Sequence, residues 1–318
     1  MTDVALDGQV AIVTGSGAGL GRAYALELAA RGAQVVVNDV STERADDTVA
    51  TIADAGGRAV ASYDSVASQP GGRAIVESAI QAFGDVSIVV CNAGTMRNAY
   101  FEDQSPDDLD AMIAVHIGGC FWVTQAAWPI MKRKRYGRVV LVGSSGGMWS
   151  MHAITNYAAA KGGVYGLGRA LAFEGREHGI NVNVLLPGAA TTITAASPVP
   201  DYEKYFPHPD LGKALTARRT AESVAPLAAY LTSEACTVTG ETFSAVAGRY
   251  ARVIVGVTDG WFADDIESVT AEDIAQHFDE ICDPTNYVLP SNLFDEYRAM
   301  APQLGVELPA VGLAIPPD

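Results

Sequence analysis

The sequence predicts an α/β fold with a doubly wound parallel sheet. Apolar runs of strand length recur at residues 9–14, 34–39, 59–66, 87–91, 138–143 and 180–186. Runs that are mostly apolar, rather than alternating, suit strands covered on both faces. Helix-compatible stretches separate them, and strand–helix alternation gives parallel pairing with helices on both sides of the sheet. The first run also passes through a glycine-rich turn straight into a helical pattern, the usual opening of a nucleotide-binding half-sheet.

Residues 9–14 read as the first strand. Thr14-Gly15-Ser16-Gly17-Ala18-Gly19-Leu20-Gly21 follows, then a helix-favouring stretch that stops at Gly32. This order makes a phosphate cradle: glycines admit close backbone approach, and a helix N-terminus attracts the anion. Residues 34–39 read as the second strand, and Asp39 at its end lies 18 residues beyond Gly21. A carboxylate there is placed to accept hydrogen bonds from an adenosine ribose and to repel a 2′-phosphate. Ala18 and Asn38 occupy nearby positions where a phosphate-binding cation would stand, so NAD is expected rather than NADP.

Residues 59–66 read as a third strand with an acid, Asp64, near its end, and residues 87–91 as a fourth, followed by Asn92-Ala93-Gly94. Ligands of such sheets bind beyond the carboxyl ends of the strands, where the glycine turn, Asp39, Asp64 and Asn92 all fall. Residues 107–131 are helical and contain His116. The basic run Lys132-Arg133-Lys134-Arg135 closes that helix, where the dipole favours positive charge. The fifth strand, 138–143, leads to Ser144-Ser145. In Tyr157-Ala158-Ala159-Ala160-Lys161 the two polar side chains share one helix face, and a lysine charge that close favours loss of the phenolic proton. The sixth strand, 180–186, is closed by Pro187-Gly188.

Composition narrows the function classes. The chain has 318 residues, 49% of them hydrophobic, and a net charge of −16. That acidity argues against nucleic acid and anionic membrane surfaces, which need basic partners. No apolar sequence run reaches the length of a membrane span, and the N-terminus enters a strand with no signal segment before it, so a cytoplasmic protein is expected. Cys91, Cys120, Cys236 and Cys282 lack metal-ligand or redox spacing and are expected to be buried free thiols; no metal site is expected. Residues 251–318 hold thirteen acidic and two basic residues, a net of −11.

Thr14-Gly15-x-x-x-Gly19-x-Gly21, Asn92-Ala93-Gly94, Ser144, Tyr157-x-x-x-Lys161 and Pro187-Gly188-x-x-x-Thr192 occur in an order and at spacings that resemble the short-chain dehydrogenase/reductase family, over roughly residues 8–245. A narrower resemblance is to the (3R)-hydroxyacyl-CoA dehydrogenase unit of the peroxisomal type-2 multifunctional enzymes. It rests on residues 17–26, 35–39, 63–66 and 126–128, and on Thr270-Ala271-Glu272-Asp273-Ile274 and Glu280-Ile281-Cys282-Asp283 in the tail.

The resemblance implies a Rossmann-like core over residues 1–250 and an extension over 251–318 that packs on the core or on a neighbouring subunit of a homodimer or homotetramer. It implies that Ser144, Tyr157 and Lys161 are catalytic. Gly15, Gly19, Leu20, Gly21, Asp39, Asp64, Ser65, Asn92, Gly94, Tyr157, Lys161, Pro187, Gly188 and Thr192 would bind NAD. His116 stands where the wider family commonly has asparagine, and the multifunctional branch resembles this chain in having histidine there. Ser144 lies thirteen residues before Tyr157, the usual spacing, and Ser145 twelve.

The expected reaction is reversible hydride transfer between NAD and a secondary alcohol. Ser144 holds the alcohol oxygen, Tyr157 takes or returns its proton, Lys161 assists the tyrosine and holds the nicotinamide ribose, and His116 shapes the relay behind the lysine. Residues 189–222, with Pro198, Pro200, Pro207, Pro209, Tyr202, Tyr205 and Phe206, are expected to form a substrate lid. A 3-hydroxyacyl-CoA is the leading substrate, with Arg97, Lys204, Lys213, Arg218 and Arg219 as candidate cations for the CoA phosphates. A steroid or another bulky secondary alcohol is the alternative, and a non-catalytic NAD-binding regulator is a reading from another class. In the tail, residues 252–257 read as a strand and 271–281 as an amphipathic helix.

Overall fold

The computed structural model describes residues 4–190, 197–202, 208–263 and 265–308. The chain divides into two compact units, Met1–Val253 and Ile254–Asp318. In the first, β1 (Val10–Thr14), α1 (Gly19–Ala30), β2 (Gln34–Asn38), α2 (Thr42–Asp54), β3 (Arg58–Ser62), α3 (Gln69–Phe83) and β4 (Ile88–Cys91) form one half. The other half holds α4 (Pro106–Met112), α5 (Gly119–Lys134), β5 (Gly137–Val142), α6 (Ser145–Met148), α7 (Thr155–Gly175), β6 (Ile180–Gly188), α8 (Pro209–Thr216), α9 (Ala225–Thr232), β7 (Thr242–Val246) and β8 (Arg249–Val253).

The eight strands form one sheet in the order β3-β2-β1-β4-β5-β6-β7-β8. All neighbours pair in parallel except β7 and β8. The chain reverses direction across the sheet between β1 and β4, and a crevice opens there beyond the strands' carboxyl ends. Alternate residues of β1 feed the two cores. Ala11 and Val13 join Tyr24, Leu28, Ile52 and Ala228 on one face, while Val10 and Ile12 join Ile75, Val123, Met131 and Val164 on the other.

Local chemistry starts and stops the helices. Ser41, Ser68 and Ser105 cap α2, α3 and α4, each accepting a backbone N–H in the first turn. Gly84 ends α3 in the left-handed conformation at φ 77°. Arg22 of α1 donates to Asp47, Thr48 and Thr51 on α2 and fixes the two helices side by side.

Between α4 and α5, residues Ile113–Gly118 form a π-helical segment, so the helix is continuous from Pro106 to Lys134. Nothing in the residue pattern of this stretch marks the widening. At 29 residues the helix is long and apolar enough to cross a membrane on length and composition alone, which corrects the expectation that no run would reach that length. Its inner face, including Met112, Cys120, Val123, Ala127 and Met131, is buried. It packs on α3, β4 and β5; it is a core helix of this unit.

Three strand boundaries differ from expectation by more than one residue. β3 ends at Ser62, not residue 66, because Asn38 Nδ2 donates to the carbonyls of both Ser62 and Asp64 and turns the chain out of the sheet. β6 runs on through Pro187-Gly188, which pair with Ala245 and Val246 of β7. The strand expected at 252–257 is β8, displaced toward the N-terminus. Ala247 and Gly248, at φ 53° and 87°, make the tight hairpin that sets its register against β7.

In the second unit, β9 (Val257–Thr258) pairs antiparallel with β10 (Tyr287–Val288). The helix expected over 271–281 is two short ones, Ala271–Gln276 and Phe278–Ile281, broken at His277, whose Nδ1 lies 2.8 Å from the Asp273 carbonyl oxygen. All four cysteines are free thiols. Cys91, Cys120 and Cys236 are buried, but Cys282 is exposed, contrary to expectation, because it ends the second of those short helices.

Candidate active site

A cavity of about 1390 Å³ lies over the carboxyl ends of the strands of the first unit. Sheet order gives it two ends. One lies over β2 and β3, with Asp39, Val40, Arg44, Asp64 and Ser65; the other lies over β5 and β6, with Ser144, Tyr157, Lys161, Pro187 and Gly188. Gly15, Gly19, Leu20, Asn92, Gly94 and His116 line the stretch between them. Of the residues singled out from the sequence, Gly21 does not border the cavity, and Thr192 lies outside the described residues.

The glycine turn is held by its neighbours. Gly15 adopts φ 63°, and a Cβ there would stand 2.7 Å from Ala93 Cα. Thr14 Oγ1 accepts from the backbone N–H groups of Asn92 and Ala93, both at 3.0 Å. Asn92 Nδ2 donates to the carbonyls of Thr14 and Gly15 at 3.0 and 3.1 Å. Asn92 thus acts on the cradle by tying the glycine turn to the end of β4. Gly21 sits beneath the turn, where a Cβ would lie 2.1 Å from the Gly15 carbonyl oxygen.

The N-cap of α1 is Ala18, which offers no side-chain acceptor to the first N–H groups. An uncapped helix end facing a cavity attracts a phosphate. Asp39 is fixed beside it: Gly17 N donates to Oδ2 at 3.0 Å and Ser41 N to Oδ1 at 2.9 Å. The uncapped end, the close-packed glycine turn and the anchored carboxylate together fit the diphosphate and ribose of a dinucleotide.

At the other end, Ser144 Oγ accepts from Gly146 N at 3.0 Å, which leaves its own O–H free to donate. Gly146 links it to the tyrosine: a Cβ there would lie 3.3 Å from Ser144 Oγ and 3.5 Å from Tyr157 Cε1. This favours Ser144 over Ser145, although both border the cavity. Lys161 is 5% exposed and donates from Nζ to the Val142 carbonyl at 2.6 Å. Its ammonium lies 5.8 Å from the centre of the Tyr157 ring.

His116 lies within the π-helical segment, 2% exposed. Its ring meets the Tyr157 ring edge-on, centroids 5.3 Å apart at 87°. Nε2 lies 2.8 Å from the Thr95 carbonyl oxygen, a donor's position, and the buried Nδ1 has no hydrogen-bond partner among the described residues. Burial pushes the ring's pKa down to about 3; the Lys161 charge acts in the same direction and the bond to Thr95 opposes it. His116 is therefore neutral near pH 7, packed edge-on against the Tyr157 ring.

A pH dependence follows. The folded pKa lies below the ordinary value of 6.5. The stabilisation is complete above that value and is lost as pH falls toward about 3. Between about pH 6.5 and pH 5 the folded protein should lose about 1.6 kcal/mol through this ring. Denaturant titrations of wild type and His116→Asn at both pH values would isolate the effect. Equal pH slopes would contradict the buried neutral ring.

The substrate end is largely apolar, bordered by Met96, Met151, Ile154, Pro198, Val199 and Leu215. Of the expected lid, residues 191–196 and 203–207 lie outside the described residues, and with them Lys204, Tyr205, Phe206 and Pro207. Segment 197–202 is described and pinned. Asn98 N donates to Ser197 Oγ at 3.1 Å, Tyr100 OH to Asp201 at 2.6 Å, and the His152 ring bonds the Pro200 carbonyl. Ser150, Ala153 and Asp201 all hold positive φ around this end.

Of the candidate phosphate cations, Arg219 borders the cavity, its Nε 3.4 Å from the Gly188 carbonyl oxygen. Arg97 is paired with Asp108 at 3.3 Å, and Lys213 with Asp210 at 3.7 Å; neither they nor Arg218 border the cavity. Sequence reasoning missed Arg44, Val40, Met96 and Met151. Among the described residues there is no cluster of metal-ligating side chains.

One crevice that offers an anion-binding helix end and, across the sheet, a tyrosine–lysine pair defines an oxidoreductase site for a nicotinamide dinucleotide and a small-molecule substrate. The profile of the short chain dehydrogenase family matches residues 9–202, and the chain belongs to that family.

Among its relatives is a short-chain type dehydrogenase/reductase of Mycobacterium tuberculosis, 40% identical over 284 residues that cover 86% of this chain and 94% of that protein. The peroxisomal multifunctional enzyme type 2 of Mus musculus is 38% identical over 90% of this chain, and the match spans only 38% of that enzyme. The solved full-length type 2 enzyme of Drosophila melanogaster superposes with a TM-score of 0.78 at 31% identity, covering 95% of this chain and 50% of that one. A 7α-hydroxysteroid dehydrogenase complexed with NADH and 7-oxo glycochenodeoxycholic acid gives 0.70 at 30% identity, covering 77% of this chain and 96% of that one.

Proposed function

We propose that this protein is an NAD-dependent dehydrogenase of secondary alcohols whose principal substrates are 3-hydroxyacyl-CoA thioesters. One observation carries the reaction: Ser144, Tyr157 and Lys161 share a single cavity with Asp39. When bound, the dinucleotide supplies the hydride acceptor. The chain supplies the rest. The uncapped α1 end and the glycine turn hold the diphosphate, and Asp39 accepts from the ribose hydroxyls. The Ser144 hydroxyl donates to the substrate oxygen and fixes it beside Tyr157. The Tyr157 phenol oxygen takes the alcohol proton in oxidation and returns it in reduction. Lys161, held by the Val142 carbonyl, supplies the positive charge that favours the anionic tyrosine.

The thioester reading is supported by likeness to the type 2 multifunctional enzymes that extends past the core into the last fifth of this chain. It needs cations for the CoA phosphates, and among the described members of the candidate set Arg219 is the one that borders the cavity. That scarcity, with the apolar substrate end and the likeness to the steroid enzyme, favours a hydroxysteroid as the second reading.

The deciding experiment follows NADH formation with a (3R)-3-hydroxyacyl-CoA, the same hydroxy acid without CoA, and a hydroxysteroid. The thioester should be turned over at least about a hundredfold more efficiently than the free acid, the loss expected when several charge-assisted contacts are removed. Turnover of the steroid with none of the thioester would replace the first reading with the second.

A further inference from the structure

Two thiols lie behind the wall of the crevice, and the proposed reaction uses neither. Cys91 ends β4, directly before Asn92, and Cys120 stands in the first turn of α5, one turn beyond His116. They are 29 positions apart in the chain, so no sequence spacing marks them as a pair. Both are buried. Cys91 Sγ lies 3.8 Å from the Cys120 carbonyl oxygen and 3.6 Å from Thr124 Oγ1. The two side chains are also hydrogen-bond partners of each other. The Cys91 thiol donates toward the Cys120 sulfur, which holds Cys120 below the ordinary thiol value and pushes Cys91 above it. Burial opposes the first shift and adds to the second, while the Lys161 ammonium draws both thiols down. One sulfur that favours the thiolate beside one that keeps its proton suits a nucleophile and its resolving thiol.

We propose that Cys91 and Cys120 close a reversible disulfide when a peroxide oxidises them, and that this bond switches the site off. The Cys120 thiolate attacks one peroxide oxygen. The O–O bond breaks, the other oxygen leaves as water, and Cys120 becomes a sulfenic acid. Cys91 sulfur then attacks the Cys120 sulfur, the S–O bond breaks, and a second water leaves as the S–S bond forms. The two thiols give up two protons and two electrons, and the peroxide is reduced to two waters. Access is short, because Asn92 and Lys161, the neighbours of the pair, both border the cavity. The consequence follows from what each cysteine adjoins. Closing the bond draws the end of β4 and the start of α5 together. Asn92, next to Cys91, ties the glycine turn to β4, and His116, one turn before Cys120, packs against the Tyr157 ring. Both contacts are displaced. The effect on the dinucleotide rests on the reading of the crevice given above; the bond itself does not.

The test treats the full chain with hydrogen peroxide and maps its peptides by mass spectrometry, with NAD affinity measured by calorimetry before and after. The expected product is a Cys91–Cys120 peptide pair lighter by two hydrogens. NAD affinity should fall at least about tenfold and return on treatment with dithiothreitol. Saturating NAD should slow the cross-link by covering the crevice. Cys120→Ser should keep its affinity through the same treatment, and Cys282→Ser should respond as wild type does. Peroxide that oxidises the exposed Cys282 and leaves Cys91 and Cys120 as thiols overturns the inference. So does a cross-link that leaves NAD affinity unchanged. If the untreated chain binds no NAD, the reading of the crevice fails, while the cross-link, read by mass alone, still decides the pairing.

Discussion

Tyr157→Phe should lower turnover by about 10²–10⁴-fold, the contribution of one well-placed acid–base group, while the protein still binds its dinucleotide. The substitution removes the phenol oxygen and keeps the ring. That ring is half-buried, edge-on to His116 and beside Gly146, so its packing survives and the melting temperature should stay near wild type. The loss should fall in kcat, since the oxygen acts where the alcohol proton moves. A variant that kept wild-type kcat would remove Tyr157 from the chemistry.

Gly21→Val should abolish dinucleotide binding and destabilise the fold. A Cβ at this position would lie 2.1 Å from the Gly15 carbonyl oxygen and 2.5 Å from Asn92 Nδ2. Both are fixed atoms: the first is backbone of the cradle, and the second is the donor that ties it to β4. Overpacking of a rigid site costs about 1–3 kcal/mol or more. Here the displaced element is the phosphate cradle, so affinity should fall by at least about a hundredfold, alongside a lower melting temperature. Calorimetry and thermal unfolding would read the two effects separately. A stable variant with normal affinity would mean that the glycine turn does not hold the diphosphate.

Much of this was legible in the sequence because it depends on local pattern. Parallel strands covered on both faces need continuous apolar runs, and six of them could be read off directly. The glycine turn and Asp39 announce themselves because a tight turn and a strand-end acid have few other uses in that order. Features that arise from tertiary contact were not legible. The π-helical segment around His116 leaves no mark in composition. Arg44 reads as an ordinary residue of a polar helix until the packing of Gly17 against α2 brings it to the cavity. That the Asn92 amide also ties down the glycine turn could not be read from the sequence. The tail strand was displaced because Ala247, unlike glycine, gives no sequence warning of a left-handed turn.

The central claim is that one cavity joins a dinucleotide held over Asp39 to a secondary alcohol held at Tyr157. The most direct test turns over a (3R)-3-hydroxyacyl-CoA deuterated at the carbinol carbon, with NAD, and weighs the dinucleotide by mass spectrometry. The expected result is one deuterium in each reduced dinucleotide formed, with formation suppressed in Tyr157→Phe. Alcohol consumed without deuterium reaching the dinucleotide, or NAD bound and never reduced by any secondary alcohol, would contradict the account.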